Sequence, residues 1–305
     1  MITIVIPLYN KATRIEKTIR SVLEQTYSDF ELIVVNDGST DDSQTVVEGI
    51  TDSRIQIKNI KNSGVSVARN TGIKAASRPY IAFLDGDDWW APTFLEEMVN
   101  AIATHPNQVL YASGRCRVFA SEEERYNHVL LPKDGETGVL NYFEVIAKYL
   151  PLINSSNVVI KRSHFDSAGY FREGQKQHED HDLWMRLASK ESVVFVNKNL
   201  SYYLKAQVGS ASANLYKASD FNRFLQTIVE VAETTSGENR KFLKQYANRF
   251  AALTYLKHYG NYSKEERSLL KEPMEKLLSG TYRKMYIMSK IAPFNIYPIL
   301  KKMKG

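Results

Sequence analysis

Cysteine is nearly absent from this 305-residue chain, and the solitary Cys116 excludes an internal disulfide framework and suits a reducing compartment. Long apolar runs are missing as well: nothing approaches the about eighteen apolar residues of a membrane span. The opening MITIVIPLYN has neither the basic start nor the cleavage site of a signal peptide, so it is expected to be folded structure and the protein to be cytoplasmic. No G-x-G-x-x-G follows the first predicted strand and no G-x-x-x-x-G-K-[ST] occurs anywhere, which sets aside Rossmann redox enzymes and P-loop NTPases. Internal repeats and low-complexity segments are also lacking.

Acid is missing from one end. After Glu275 the chain has none, while Arg283, Lys284, Lys290, Lys301, Lys302 and Lys304 contribute to a formal net charge of +6. With Met285, Tyr286, Ile287, Met288, Ile291, Phe294, Ile296, Tyr297 and Leu300 interleaved, this tail reads either as a surface for an anionic membrane or as a packed, solvated terminal helix. The first reading would place the protein peripherally on the inner face of the cytoplasmic membrane. Nucleic acid is a poor partner for a basic stripe so rich in Met, Ile and Tyr.

What is present is an alternation. At 43% apolar content the chain can bury a real core, as one large domain or two intimate halves. ITIVIPL, FELIVVND, RIQIKNI and YIAFLD read as four strands. Between the first two, Ile15, Ile19, Val22 and Leu23 form a helical stripe. NDGSTDDS supplies turn chemistry, with Asp41 or Ser43 as a helix cap, and Ala68, Gly72, Ala75 and Ala76 mark a close-packing helix. Pro92 starts a helix that turns Phe94, Leu95, Met98, Val99 and Ile102 inward. Strand and helix alternating at this spacing predict a mainly parallel, Rossmann-like sheet covered by helices on both faces.

Ligands bind such sheets at the carboxyl ends of the strands, so Pro7–Asn10, Asn36–Ser39 and Asp85–Asp88 should converge on one crevice. From about residue 106 the alternation loosens. QVLYASGRCRVF and NSSNVVIKRSHF are strand-like, EEERYNH is a charged loop, EDHDLWMRLAS starts a helix, and SVVFVN and SYYLKA are two closing strands. Residues 217–279 are helical in pattern.

FLDGDDWW places Asp85, Asp87 and Asp88 behind a buried strand, where carboxylates repel unless a cation offsets them. Oxygen ligands select a hard ion, Mg²⁺ or Mn²⁺, whose shell is usually completed by water and substrate phosphate. The plain alternative is exposed turn acids, one of them capping the Pro92 helix. Tyr9 can offer a flat face to a base, Asp37 can accept from a base N–H or a ribose hydroxyl, and Arg69 can hold phosphate or base by its planar fork. Each alone reads as a core tyrosine, a turn aspartate or a surface arginine; it is their convergence at strand ends that favours function.

VIPLYN, VNDGSTDDS, NSGVSVARNTGI, FLDGDDWW and EDHDLWMRLA together resemble, in order and spacing, the family-2 inverting nucleotide-sugar glycosyltransferases of GT-A fold, over residues 1 to about 212. The resemblance implies a nucleotide-sugar-binding half at 1–105, an acceptor-binding and catalytic half of the same domain at 106–216, and a helical extension with a basic tail at 217–305. It implies that Pro7 and Tyr9 frame the base, Asp37 binds uracil or ribose, and Arg69 lies near base and phosphates. Asp85, Gly86 and Asp87 correspond to D-x-D, with Asp85 toward ribose and metal and Asp87 as direct metal ligand to Mn²⁺ or Mg²⁺. Asp180 matches the catalytic base, with Glu179 beside it; Trp184 and Arg186 pack or orient. Many members carry a metal-completing histidine where this chain has Lys205 and Gln207 in KAQVGSAS; His178 and His181 are candidates by proximity in sequence alone.

The implied reaction is metal-assisted transfer of one sugar, with UDP the favoured nucleotide, to a glycan or lipid-linked oligosaccharide. A processive synthase would carry Q-x-x-R-W and membrane spans. The alternatives are an inactive sugar-nucleotide-binding protein and a haloacid-dehalogenase-type phosphatase, whose D-x-D lies on the leading strand and runs into Gly-Thr rather than Trp89 and Trp90.

Overall fold

The computed structural model describes residues 1–119, 122–204 and 217–291; Lys205, Gln207 and the tail from residue 292 lie outside the described residues. The chain divides into two units, Met1–Tyr142 with Pro151–Ala213, and Phe143–Leu150 with Asn214–Gly305.

The first unit opens with β1 (Ile2–Leu8), α1 (Ile15–Leu23), β2 (Phe30–Asp37), α2 (Ser43–Glu48), β3 (Ile55–Ile60), α3 (Val65–Ala75) and β4 (Tyr80–Phe83). Every residue of β1 is buried, as a central strand covered on both faces requires, whereas β3 at the sheet edge has no fully buried residue. α1 buries Ile15, Thr18, Ile19 and Val22, the expected stripe with Thr18 added. It continues with β5 (Trp89–Trp90), α4 (Phe94–Thr104), β6 (Leu110–Val118), β7 (Glu123–Arg125) and β8 (Thr137–Leu140) and, after α5 (Tyr142–Lys148), most of which belongs to the second unit, with β9 (Val158–Lys161), α6 (His164–Ala168), α7 (Glu179–Ala188) and β10 (Val193–Leu204).

The sheet order is β3-β2-β1-β4-β9-β6-β10-β5, with β7 added to β6 and β8 to β10. Parallel pairing holds from β3 to β4 and returns between β6 and β10; β9 lies antiparallel to both neighbours, and β5, β7 and β8 are antiparallel too. The alternation legible in the first hundred residues therefore gives the parallel part, and the loosened stretch gives the mixed part. Two local readings change. Within EEERYNH, Glu123–Arg125 is an exposed strand, since its backbone pairs with β6 while its charges face water, a common composition for a sheet edge. The two closing strands are one, β10, carried through by register shifts around Asn199.

The small residues of α3 have a packing reason. A Cβ at Gly72 would lie 2.3 Å from a Val5 methyl of β1, so only glycine lets this helix approach the central strand so closely.

The second unit holds α8 (Ala218–Thr234), α9 (Gly237–His258), α10 (Lys264–Leu269), α11 (Lys271–Leu277) and α12 (Gly280–Ile291), joined by residues 143–150 that include most of α5. Phe221, Phe224, Leu225 and Ile228 are fully buried, as their spacing on one helical face predicts. Arg249 donates to the Ile146 carbonyl at 2.9 Å and so ties α9 to the end of α5. Ser263 and Glu266 close a capping box at the start of α10.

Gly72→Ala is expected to cost ~1–3 kcal/mol by overpacking, read as a lower midpoint in urea. Gly49→Ala, whose Cβ would meet its nearest neighbour at an ordinary 3.5 Å, should change little.

Candidate active site

The strand ends named from sequence do meet. After β1 the chain turns at Asn10, which takes up a positive φ of 51°, and Asn10 Oδ1 accepts from the Thr40 N–H at 2.8 Å. The Lys11 N–H donates to Ser43 Oγ at 2.7 Å, and the Ala12 N–H to Asp41 at 3.1 Å. The loops after β1 and β2 are thus latched together. Asp41 serves both the latch and the helix start, its other oxygen accepting from the N–H of Ser43, the first residue of α2, at 3.0 Å; Ser43 serves the latch, and Asp42 at the N-cap position makes no side-chain capping bond.

Tyr9 is 45% exposed at the lip of these loops. Pro7 is buried within β1, opposite Val35 of β2. Asp37 is buried and spends both oxygens on backbone: Oδ1 accepts from Ser63 N at 2.7 Å and Oδ2 from Gly64 N at 2.8 Å, which anchors the entry to α3. Each oxygen keeps a second lone pair for a ligand donor.

The repulsion among the acids of FLDGDDWW is offset three ways. Asp85 accepts from the Arg69 guanidinium at 2.7 Å. Asp87 pairs with Lys11 Nζ at 2.5 Å. Asp88 is withdrawn from the site: it is buried and accepts from Ser156 Oγ at 2.5 Å, and burial, with Asp85 and Asp87 beside it, pushes its pKa well above the usual carboxylate range. Ser156 also accepts from the Asp85 N–H at 3.2 Å, and its carbonyl accepts from Trp90 Nε1 at 2.6 Å. Trp90 stacks on Phe94 with ring centroids 3.9 Å apart. Gly86 sits in a tight place, since a Cβ there would lie 3.3 Å from the Pro7 carbonyl and 3.5 Å from Lys11 Cγ.

Arg69, on α3, is 3% exposed and reaches two ways, to Asp85 and, through its other terminal nitrogen, to Glu179 Oε1 at 3.1 Å. Its neighbour Asn70 clamps the Phe171 backbone by a reciprocal pair of hydrogen bonds, 2.9 and 3.0 Å. Phe171 lies under the guanidinium, 5.1 Å from its carbon, and packs with Phe83 of β4 and Trp184 of α7. Burial opposes the Arg69 charge, but Asp85, Glu179 and Asp180 outweigh it and raise the pKa.

α7 begins at Glu179 after His178, a left-handed N-cap at φ 60°. Burial, with Asp180 adding repulsion, raises Glu179 to about 7 against the pull of Arg69. Asp180 is shifted the other way: burial would raise it, but His181 and Arg69 hold it below the usual carboxylate range. The third acid of the motif, Asp182, is fully buried and pairs with Arg186 at 2.6 Å, and Trp184 is fully buried, so Trp184 and Arg186 pack and orient, as expected.

The donor set suits a hard cation. Asp85 and Asp87 are each about one-third exposed, and each uses one oxygen, leaving the other without a partner among the described residues. Two carboxylates match an ion that keeps water and takes phosphate oxygens. Among the described residues no group of three His, Cys, Asp or Glu could hold a metal, so His178 and His181 do not complete such a set; they face each other, ring centroids 5.5 Å apart. Gln207 lies outside the described residues.

Lys11, Asn70, Ser156 and the separate role of Asp88 were not legible in the sequence. An acid run that leads into a Trp pair, the second of which is buried, is the one available signal for Asp88.

Residues 3–173 match the model of glycosyl transferase family 2. The chain is 34% identical to the Escherichia coli UDP-Glc:α-D-GlcNAc-diphosphoundecaprenol β-1,3-glucosyltransferase WfaP over 226 residues, 71% of this chain and 82% of that protein. It is 28% identical to the uncharacterized glycosyltransferase RT0329 of Rickettsia typhi, over 80% of this chain and 73% of that one. TarS of S. aureus, solved with UDP, superposes with a TM-score of 0.73 at 18% identity, covering 95% of this chain and 87% of that chain. At that identity the likeness speaks for the fold, a GT-A sheet with C-terminal helices. With the family model spanning more than half of its length and a relative about one-third identical over most of it, the chain belongs to glycosyl transferase family 2.

Proposed function

We propose that the first unit transfers one sugar, with inversion, from a UDP-sugar to a hydroxyl of a glycan or lipid-linked oligosaccharide, with Asp180 as general base. The observation that carries this reading is the Arg69 bridge, which gathers Asp85 from the end of β4 and Glu179 from the start of α7 onto one guanidinium, 16 and 110 residues distant in sequence. Donor-side and base-side carboxylates thereby share one buried cation.

In this reading Tyr9 and Asp37 receive the base and ribose, and Arg69 remains charged to orient the diphosphate. A divalent ion, Mn²⁺ or Mg²⁺, held by Asp85 and Asp87 would act as a Lewis acid on the leaving diphosphate. The acceptor oxygen forms its bond to the anomeric carbon as the bond from that carbon to the β-phosphate oxygen breaks. The hydroxyl proton passes to Asp180 Oδ2, because Oδ1 already accepts from the His181 N–H at 2.7 Å. A carboxylate held below its usual pKa is ionised at neutral pH but weakly basic, so the transfer comes late, as the new bond forms. Glu179, near half-protonation at neutral pH, spares Asp180 a permanently charged neighbour.

WfaP, by its name, uses UDP-Glc and a GlcNAc-diphospholipid, which supports a UDP-sugar and a lipid-borne acceptor here. On α12, Arg283, Lys284, Ile287 and Met288 are all exposed on neighbouring turns, which supports peripheral contact with anionic lipid. No helix among the described residues is long and apolar enough to cross a membrane.

Calorimetry should show UDP binding strengthened by Mn²⁺, an enhancement lost in Asp87→Ala; no binding of UDP with or without metal would remove the reading. Asp180→Asn is expected to lower kcat by on the order of 10²–10⁴ while UDP affinity stays near that of the unaltered protein. The folded-state pKa of Glu179 lies above its ordinary 4.5, so its contribution to stability is full below that value and is lost as pH rises through about 7. Melting curves should therefore show the Tm of Glu179→Gln gaining on that of the unaltered protein between pH 5 and 8. With vesicles containing phosphatidylglycerol the protein should float at low salt, and replacing Arg283, Lys284, Ile287 and Met288 by Ser should abolish it.

A further inference from the structure

Lys11 is held in place from its backbone outward. Its N–H donates to Ser43 Oγ, and its carbonyl accepts from the Arg14 and Ile15 N–H groups at 2.8 and 2.9 Å ahead of α1. Its stem passes beside Gly86, where an added Cβ would come within 3.5 Å of Lys11 Cγ. Only the end of the side chain can swing, and that end, 35% exposed, lies on Asp87 Oδ2. An ammonium there neutralises the carboxylate that the reading above gives to the divalent ion, and the two cations repel.

We infer that Lys11 is a built-in competitor of the metal: it occupies Asp87 in the empty site and leaves only when a nucleoside diphosphate offers its ammonium another anion. The inference rests on the metal reading of Asp85 and Asp87. Arg69 does not play this part, because it is buried and tied on both sides, whereas the Lys11 ammonium has, among the described residues, Asp87 as its one partner, and its end is part-exposed. The ammonium makes metal and diphosphate depend on one another beyond the direct metal–phosphate bond. Nucleotide raises metal affinity by freeing Asp87, and by linkage metal raises nucleotide affinity by the same factor. Without diphosphate the site has little call for a cation, since Lys11 already balances its charge.

The test is Mn²⁺ binding by the full chain, followed from the electron paramagnetic resonance of free Mn²⁺, with and without UDP, for the unaltered protein, Lys11→Met, Lys11→Arg and Asp87→Asn. Lys11→Met should bind Mn²⁺ alone on the order of tenfold more tightly, and the factor by which UDP enhances Mn²⁺ binding should shrink. Lys11→Arg, which keeps the charge, should behave as the unaltered protein, and Asp87→Asn should bind weakly throughout. Equal or weaker binding of Mn²⁺ alone by Lys11→Met, with the unaltered protein still taking up Mn²⁺ beside UDP, would overturn the inference and leave the metal reading standing. No uptake by either protein, with or without UDP, would overturn both.

Discussion

A buried guanidinium is the constraint around which the site is arranged. Arg69 cannot be left unpaired at 3% exposure, because the desolvation of an isolated charge far exceeds what packing could return. It must therefore hold carboxylates, and those within reach are Asp85 at the end of β4 and Glu179 at the start of α7. Around it, Asn70 pins the Phe171 backbone and Phe171 closes one side of the charge. The start of α7, and with it Asp180, is drawn to this arginine, while Trp184 packed on Phe83 and Phe171 holds the body of the helix.

The same accounting explains how three aspartates coexist in four residues. One is paired to Arg69, one to Lys11, and the third is retired into the interior against Ser156, where its pKa climbs. Among the described residues the outer two, each about one-third exposed, keep an open oxygen apiece; the inner one fixes the loop. Electrostatics therefore divides a run of like residues into two that stay part-exposed and one that is scaffold, and the Trp90 indole, hydrogen-bonded to the carbonyl of the same serine, ties that scaffold to α4.

Glu179 and Asp180 show the complementary division between two adjacent acids. Both are drawn from water, yet one is pushed up to about 7 and the other held down. Arg69 favours the charged form of both; on Glu179 burial and the repulsion of Asp180 outweigh it, whereas on Asp180 the His181 ring and the bond from the His181 N–H add to it. A pair so separated can keep one member ionised for proton transfer without doubling the buried charge.

The order of elements through β4, the small-residue face of α3, the site loops at the strand ends and the aromatic stripe of α8 were all legible in the chain, because each depends on local periodicity or on turn chemistry that neighbouring residues carry themselves. Tyr9, Asp37 and Asp85 could be singled out by residue type and strand-end position and Arg69 by its type close to the same crevice, whereas Asp180 was singled out through the family resemblance alone. The antiparallel entry of β9, the single strand formed by residues 193–204, the strand hidden in a charged run, and the partners Lys11, Asn70 and Ser156 could not be singled out. The three partners arise from contacts between residues 68 to 101 positions apart, and the strands from backbone pairing that side-chain periodicity does not record, so both depend on what the fold brings alongside. Sequence by itself determined which side chains are available at the strand ends and loops; tertiary structure decided which of them face one another, because charge is balanced through space and not along the chain.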